Sequence, residues 1–345
     1  MKSDIKSMLL TELEEYFESA GEKKYRAGQV FSWLQRGVES FDEMTNISAG
    51  LREKLNNDFF ISVPVLIEKQ VSKADGTKKF LWRVQNDDMV ECVLMKHPHG
   101  TTICISTQVG CRMGCIFCAS SLDGFKRNLA ASEMLDQVLF VITEEKIAVN
   151  NVVLMGIGEP LDNFDNVMRF IKLITHPSGL NIGARHLTLS TCGLVENIDR
   201  LADYDVQLTL AISLHAPDDD TRSKLMPVNR KTGVKNLMEA GARYFAKTGR
   251  RVTYEYSLID AVNVSAGQAE LLSSYLKGTS GHLNLLFLSN VKDRKLKPAA
   301  KNNAADFMEI LTKNGVNFTL RKSLGSDIDA SCGQLRHREL IKAKN

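Results

Sequence analysis

From residue 101 onward the chain alternates two kinds of segment, and that alternation limits the folds open to it. Strand-like runs lie at 102–106, 152–155, 186–190, 207–213, 252–256 and 283–288. Helical stretches follow at 131–145, 167–174, 195–202, 234–248, 266–277 and 304–314. Strand, helix, strand in strict rotation predicts a parallel sheet, because each crossover must return the chain to the same edge. Right-handed crossovers then curl the sheet. The expected class is α/β, a partial (β/α)6 TIM-type barrel. A last strand at 317–321 precedes a polar tail. In such a barrel the chemistry belongs at the C-terminal ends of the strands.

The segment before the barrel follows other periods. Leu9, Leu10, Leu13, Tyr16 and Phe17 recur at helical spacing, as do Val30, Phe31 and Leu34. Between 62 and 95 the pattern turns strand-like, with Asp75-Gly76 marking a hairpin. The expected division is a helical accessory domain at 1–60, a strand-rich connection at 61–97, a barrel at 98–320 and a C-terminal segment at 321–345. With 43% apolar and 25% charged residues, the chain is neither disordered nor a rod. No apolar run reaches about 18 residues, and the first residues lack an apolar signal core, so a cytoplasmic protein without a membrane span is expected. Seven cysteines in 345 residues are too few for a disulfide scaffold. In a reducing compartment, clustered thiols point instead to metal or catalysis. A net charge of +3 permits a nucleic-acid partner without arguing for one.

The sharpest cluster is Cys111, Cys115 and Cys118, spaced C-x3-C-x2-C just after the first barrel strand. Three thiolates on an iron–sulfur cube would leave one iron open, whereas four would saturate it. A zinc site using His97 or His99 is the alternative. Three further motifs end strands: 155–161 with Gly158 and Glu159, 190–193 with Ser190, and 213–216 with Ser213, Leu214 and His215. Singly, each has an ordinary reading. Gly158 makes a turn, Ser190 caps a helix, and His215 is a satisfied core histidine.

Together the motifs carry a resemblance. The cysteine loop resembles that of the radical S-adenosylmethionine (SAM) enzymes. Leu225-Met226-Pro227-Val228-Asn229 and the run 327–335 make nearly the whole chain similar to the RlmN/Cfr family of adenine-methylating RNA enzymes, on the RlmN side. The resemblance implies a [4Fe-4S] cluster on Cys111, Cys115 and Cys118. It implies two SAM molecules per turnover, contacted by Gly158, Glu159, Ser190, Ser213, Leu214, His215 and Ser289. Ser289 stands where the family usually has Asn, with Asn290 one place along, and Ser120 stands where Thr is common. Cys332 would carry the methyl group, and Cys104 would resolve it through a disulfide. By composition alone both cysteines would be inert small hydrophobes. Glu91 matches the proton acceptor, while Cys92 and Cys192 match no catalytic position and read as core.

The implied reaction is methylation of adenosine C2 in 23S rRNA and in tRNA, 3′ of the anticodon. The implied partners are those RNAs and a flavodoxin or ferredoxin-type electron donor, with a monomeric enzyme. Candidate RNA contacts are Lys126, Arg127, Arg222, Lys224, Arg230, Lys231, Arg336, Arg338, Lys342 and Lys344. A Cfr-type C8 methyltransferase, a zinc-stabilised RNA-binding protein without catalysis, and a chain whose Ser289 has cost it SAM affinity are the competing readings.

Overall fold

The computed structural model describes residues 2–204, 206–289, 295–328 and 333–344. Its centre is one sheet of ten strands. In chain order these are β1 (Val65–Val71), β2 (Lys78–Arg83), β3 (Met89–His97), β4 (Gly100–Cys104), β5 (Asn151–Leu154), β6 (Leu187–Thr191), β7 (Thr209–Ser213), β8 (Val252–Leu258), β9 (His282–Phe287) and β10 (Phe318–Leu320). From β4 to β10 every neighbouring pair is parallel. A helix follows each of the six strands β4 to β9, as the alternation requires. These are α4 (Ala131–Glu145), α5 (Phe164–Ile174), α6 (Val195–Ala202), α9 (Val234–Thr248), α10 (Ala266–Leu276) and α11 (Lys301–Lys313), with short α7 (Asp219–Leu225) and α8 (Asn229–Thr232) preceding α9.

The strands alternate in a way that declares a working interior. Leu187 and Leu189, Leu210 and Ile212, Tyr254 and Tyr256, Leu283 and Leu285 face the helices and build the main core. Their neighbours Ser190, Ser213, Glu255 and Ser257 turn to the other face. A parallel strand packed on both sides would be apolar throughout. Here one face is polar because it lines a cavity.

Two features lay outside the alternation. β1, β2 and β3 pair antiparallel and join the sheet through β3 against β4, so the barrel sheet gains a three-stranded wing. The N-terminal helices α1 (Leu10–Ser19), α2 (Tyr25–Leu34) and α3 (Ala49–Asp58) share the main core with the barrel through Leu13, Phe17, Val30, Phe31, Leu34 and Leu55. A buried ion pair between Lys6 and Asp136 at 2.5 Å, with Ser62 Oγ donating to Asp136 at 2.8 Å, ties the N-terminal residues to α4. The last helix, α12 (Gln334–Lys344), lies against β3. No helix among the described residues is long and apolar enough to cross a membrane.

Candidate active site

A cavity of about 370 Å³ opens at the C-terminal ends of the strands. That is the size range of small-molecule sites. It gathers Cys111, Cys115, Cys118, Gly158, Glu159, Ser190, Ser213, His215 and Ser289. These residues lie far apart in sequence, and the barrel alone brings them together. Leu214 sits between two of them with its side chain in the main core. Its backbone N–H donates to Glu255 O at 3.0 Å, which sets the spacing of Ser213 and His215.

The loop 111–118 is framed by a small hairpin of Gln108–Gly110 against Phe125–Asn128. Gly110 has φ +77°, and a Cβ there would lie 1.7 Å from Gly124 O. Ile116 N–H donates to Leu225 O at 3.0 Å, and Met113, Cys115 and Phe117 pack on a second small core around Leu225, Met226 and Leu288. Next, the strand-end turn after β5 is built on glycine for want of space. A Cβ on Gly156 would lie 2.5 Å from Ile105 O, and one on Gly158, at φ +108°, 2.6 Å from the Gln108 side chain. Glu159 is buried, which raises its carboxyl above the ordinary value. Leu161 N–H donates to its Oε1 at 3.1 Å and Cys192 N–H to its Oε2 at 2.7 Å. Ser190 Oγ and Ser213 Oγ stand 3.5 Å apart.

His215 occupies a left-handed backbone conformation, φ +56°, that favours glycine. Its Nδ1 accepts from Ser257 N–H at 3.0 Å, and its carbonyl accepts from Asn263 Nδ2 at 2.7 Å. A ring nitrogen that accepts is unprotonated, so the neutral ring carries its proton on Nε2. Burial lowers the histidine from 6.5 to about 3. A folded value below the unfolded one means that His215 contributes its stability fully above about pH 6.5. That contribution is lost as pH falls toward about 3. The expected slope is up to about 1.4 kcal/mol per pH unit. Urea denaturation at stepped pH values between 7 and 4.5 measures it, and His215→Gln removes that share. An identical pH slope in the variant would show that the ring does not titrate this way.

Several residues missed in the sequence prove central. Glu255 lines the cavity, takes a hydrogen bond from Asn284 Nδ2 at 2.8 Å, and has Arg321 3.8 Å away. Cys192 belongs to the cavity wall as well as to the small core. Arg222, expected on an RNA surface, is fully buried and holds the strand-end loops together. Other expected RNA contacts also have partners: Lys126 and Arg127 on Asp88, Arg127 on Glu133, Arg336 on Asp123, Arg338 on Glu68 and Lys342 on Glu339. Lys224, Arg230 and Lys231 are exposed.

Two expectations need correction. Among the described residues, no group of three or more His, Cys, Asp or Glu side chains is gathered to hold a metal ion. The expected [4Fe-4S] cluster on Cys111, Cys115 and Cys118 is corrected accordingly, with the metal-binding and iron–sulfur reading and the zinc alternative. The C-x3-C-x2-C spacing puts three thiols on one loop and does not fix where the sulfurs point. Burial pushes the Cys111 thiol up to about 12 and raises Cys115 as well. The expected disulfide is corrected too. All six described cysteines are free thiols, Cys104 among them. Cys332 and Asn290 lie outside the described residues.

Cys104 and Glu91 stand off the cavity on the wing side. Val93 pairs with Cys104, and Glu91, two residues before Val93, shares that face. The Glu91 carboxylate accepts from Lys79 Nζ at 2.8 Å and from Gly333 N–H at 2.9 Å, and Arg336 N–H also donates to it.

Comparison with known proteins decides the kinship. Residues 3–61 match the ribosomal RNA large subunit methyltransferase N-terminal domain, and residues 105–266 match the radical SAM superfamily. A probable dual-specificity RNA methyltransferase RlmN of Lachnoclostridium phytofermentans is 48% identical over 97% of this chain and 94% of its own length. The chain belongs to the RlmN family. The RlmN of Clostridium novyi is 46% identical over 96% of the chain and 97% of its own. A radical SAM methyltransferase from Sphaerobacter thermophilus has the same fold, with TM-score 0.91 and 40% identity over 96% of this chain and 98% of that one. The RlmN-type fold therefore holds from the N-terminal helices through the barrel.

Proposed function

We propose that this protein is a dual-specificity RNA methyltransferase that uses SAM to methylate adenosine in 23S rRNA and in tRNA, at ring carbon C2, in the cytoplasm. The observation that carries the reading is near-full-length kinship with RlmN enzymes, joined to a strand-end cavity lined by the motif residues. Bound SAM would supply an electrophilic methyl group on its sulfonium. The chain would hold it with Gly158, Glu159, Ser190, Ser213, Leu214, His215 and Ser289. The two serine hydroxyls suit a ribose diol, and the neutral His215 adds a donor without repelling a sulfonium. The glycine turn lets a ligand approach the backbone closely.

Adenine C2 has no lone pair with which to displace a methyl group from a sulfonium. A thiolate has one, and Cys332 is the proposed methyl carrier, with Cys104 as the thiol that works beside it. The net change at the ring replaces C2–H by C2–CH3 and releases a proton, for which Glu91 is the proposed acceptor. The target base must leave its stack to reach a cavity of this kind. Lys224, Arg230 and Lys231, exposed on the stretch whose Leu225 O accepts from Ile116 N–H, are the proposed phosphate contacts.

Cys332→Ala tests the carrier directly. The expected result is loss of RNA methylation by more than about 10³-fold with SAM affinity, read by calorimetry, within about threefold of the parent. Methylation at the parental rate would remove Cys332 from the mechanism.

A further inference from the structure

The wing of β1, β2 and β3 has no part in the cavity wall, yet it is where the C-terminal chain is fastened. Asp327 accepts from Ser72 Oγ at 2.6 Å and from Lys73 N–H at 2.8 Å. Asp75 accepts from Gly325 N–H at 2.7 Å. Beyond residue 332 the chain is fastened again. Gly333 N–H and Arg336 N–H both donate to Glu91, at the N-terminus of α12. Asp123, just past the cysteine loop, takes Arg336 and His337, and Glu68 on β1 takes Arg338. Gly333 itself is pressed on the strip after Cys118: a Cβ there would lie 2.6 Å from Ser120 N. Ser120 lines the cavity.

The fastening at Glu91 depends on a charge that sequence reading did not single out. Lys79 on β2 is fully buried and 2.8 Å from Glu91 Oε2, and Glu91 is itself only 3% exposed. The two residues lie on the same face of adjacent antiparallel strands, because Lys79 pairs with Val93 and Leu81 with Glu91. A buried carboxylate without a cation would be costly. With Lys79 beside it, it can cap a helix N-terminus, where the aligned peptide dipoles and unsatisfied N–H groups favour negative charge.

We propose that Lys79 is a positioning residue for the methyl transfer: through Glu91 it anchors α12 against the cavity wall and so sets the C-terminal segment that bears the proposed carrier. The inference rests on the reading of Cys332 as that carrier. Lys79 touches no substrate. It acts by holding the carboxylate that holds Gly333 and Arg336.

Amide hydrogen exchange on the full-length protein tests the anchor without any turnover. In Lys79→Met, exchange across α12 is expected to run at least about tenfold faster than in the parent, with the β5 to β9 amides unchanged. The same variant is expected to lose about 10²-fold in kcat while KM for RNA stays within about twofold, and Lys79→Arg is expected to restore most of kcat. A merely structural lysine would not divide the constants that way. Should Lys79→Met fail to fold, Lys79→Gln removes the charge while keeping a polar group beside Glu91 and leaves the proposed proton acceptor in place, and the same readings apply to it. Its α12 exchange must also accelerate. Parental exchange in whichever variant folds overturns the anchor. Accelerated exchange with parental kcat overturns the positioning role. A Cys332→Ala protein that still methylates would sink the carrier reading and leave the exchange result intact.

Discussion

Arg222→Ala is expected to cost about 3–5 kcal/mol of unfolding free energy and to weaken SAM binding at least about tenfold. One buried side chain makes four hydrogen bonds. Nε donates to Leu214 O at 3.0 Å, Nη2 to Cys192 O at 2.7 Å and to Ser213 O at 3.0 Å, and Nη1 to Asn229 Oδ1 at 2.7 Å. Three of the acceptors are carbonyls at the ends of β6 and β7, and two of those residues line the cavity. Truncation takes this donor from Cys192 O and Ser213 O, at about 1–3 kcal/mol per acceptor left unpaired before relaxation, while Leu214 O keeps the Ala216 N–H at 2.8 Å. Lysine cannot substitute, since a point charge has no fork with which to reach separate carbonyls. Burial lowers Arg222 to about 10, so it stays cationic through the physiological range. Urea denaturation and SAM calorimetry on Arg222→Ala and Arg222→Lys measure both effects. A variant within about 1 kcal/mol of the parent would show that the loops hold without it.

Gly156→Ala is expected to lower methylation by about 10²-fold or more, with a smaller loss of stability. Gly156 has no unusual φ, so its need for glycine is spatial. A Cβ would lie 2.5 Å from Ile105 O, 2.6 Å from Ile105 C and 2.7 Å from Ser106 N. All three are backbone atoms, and no rotamer change makes room. The turn carrying Gly158 and Glu159 must then move off the strand it leans on through Gly156 N–H to Ile105 O at 3.0 Å. Gly28→Ala is the matching control. It lies inside α2 with open space around its Cβ position, and a gain of up to about 1 kcal/mol is expected there. Steady-state methylation of both variants gives the comparison, and equal rates would contradict the packing argument.

The legible and illegible parts of this molecule differ for physical reasons. Strands and helices of the barrel follow from hydrophobic period, and β6, β7 and β9 fall within a few residues of their expected places. The strand-end motifs were legible because a barrel brings such ends together, whatever the intervening length. Arg222 reads from sequence as a surface cation because its partners are carbonyls, which a sequence does not display. Lys79 and Glu91 do not read as a pair, because antiparallel register, not sequence spacing, puts them side by side. The cluster expectation went further than spacing can support. Cys111, Cys115 and Cys118 do share the cavity wall, but with no metal-holding group formed among the described residues.

The central claim is tested most directly by nucleoside mass spectrometry of 23S rRNA and tRNA from cells that lack their own adenosine C2 methyltransferase, with and without this protein. The account predicts 2-methyladenosine in both RNAs only when the protein is present. Absence of 2-methyladenosine from both, or 8-methyladenosine in its place, would contradict it.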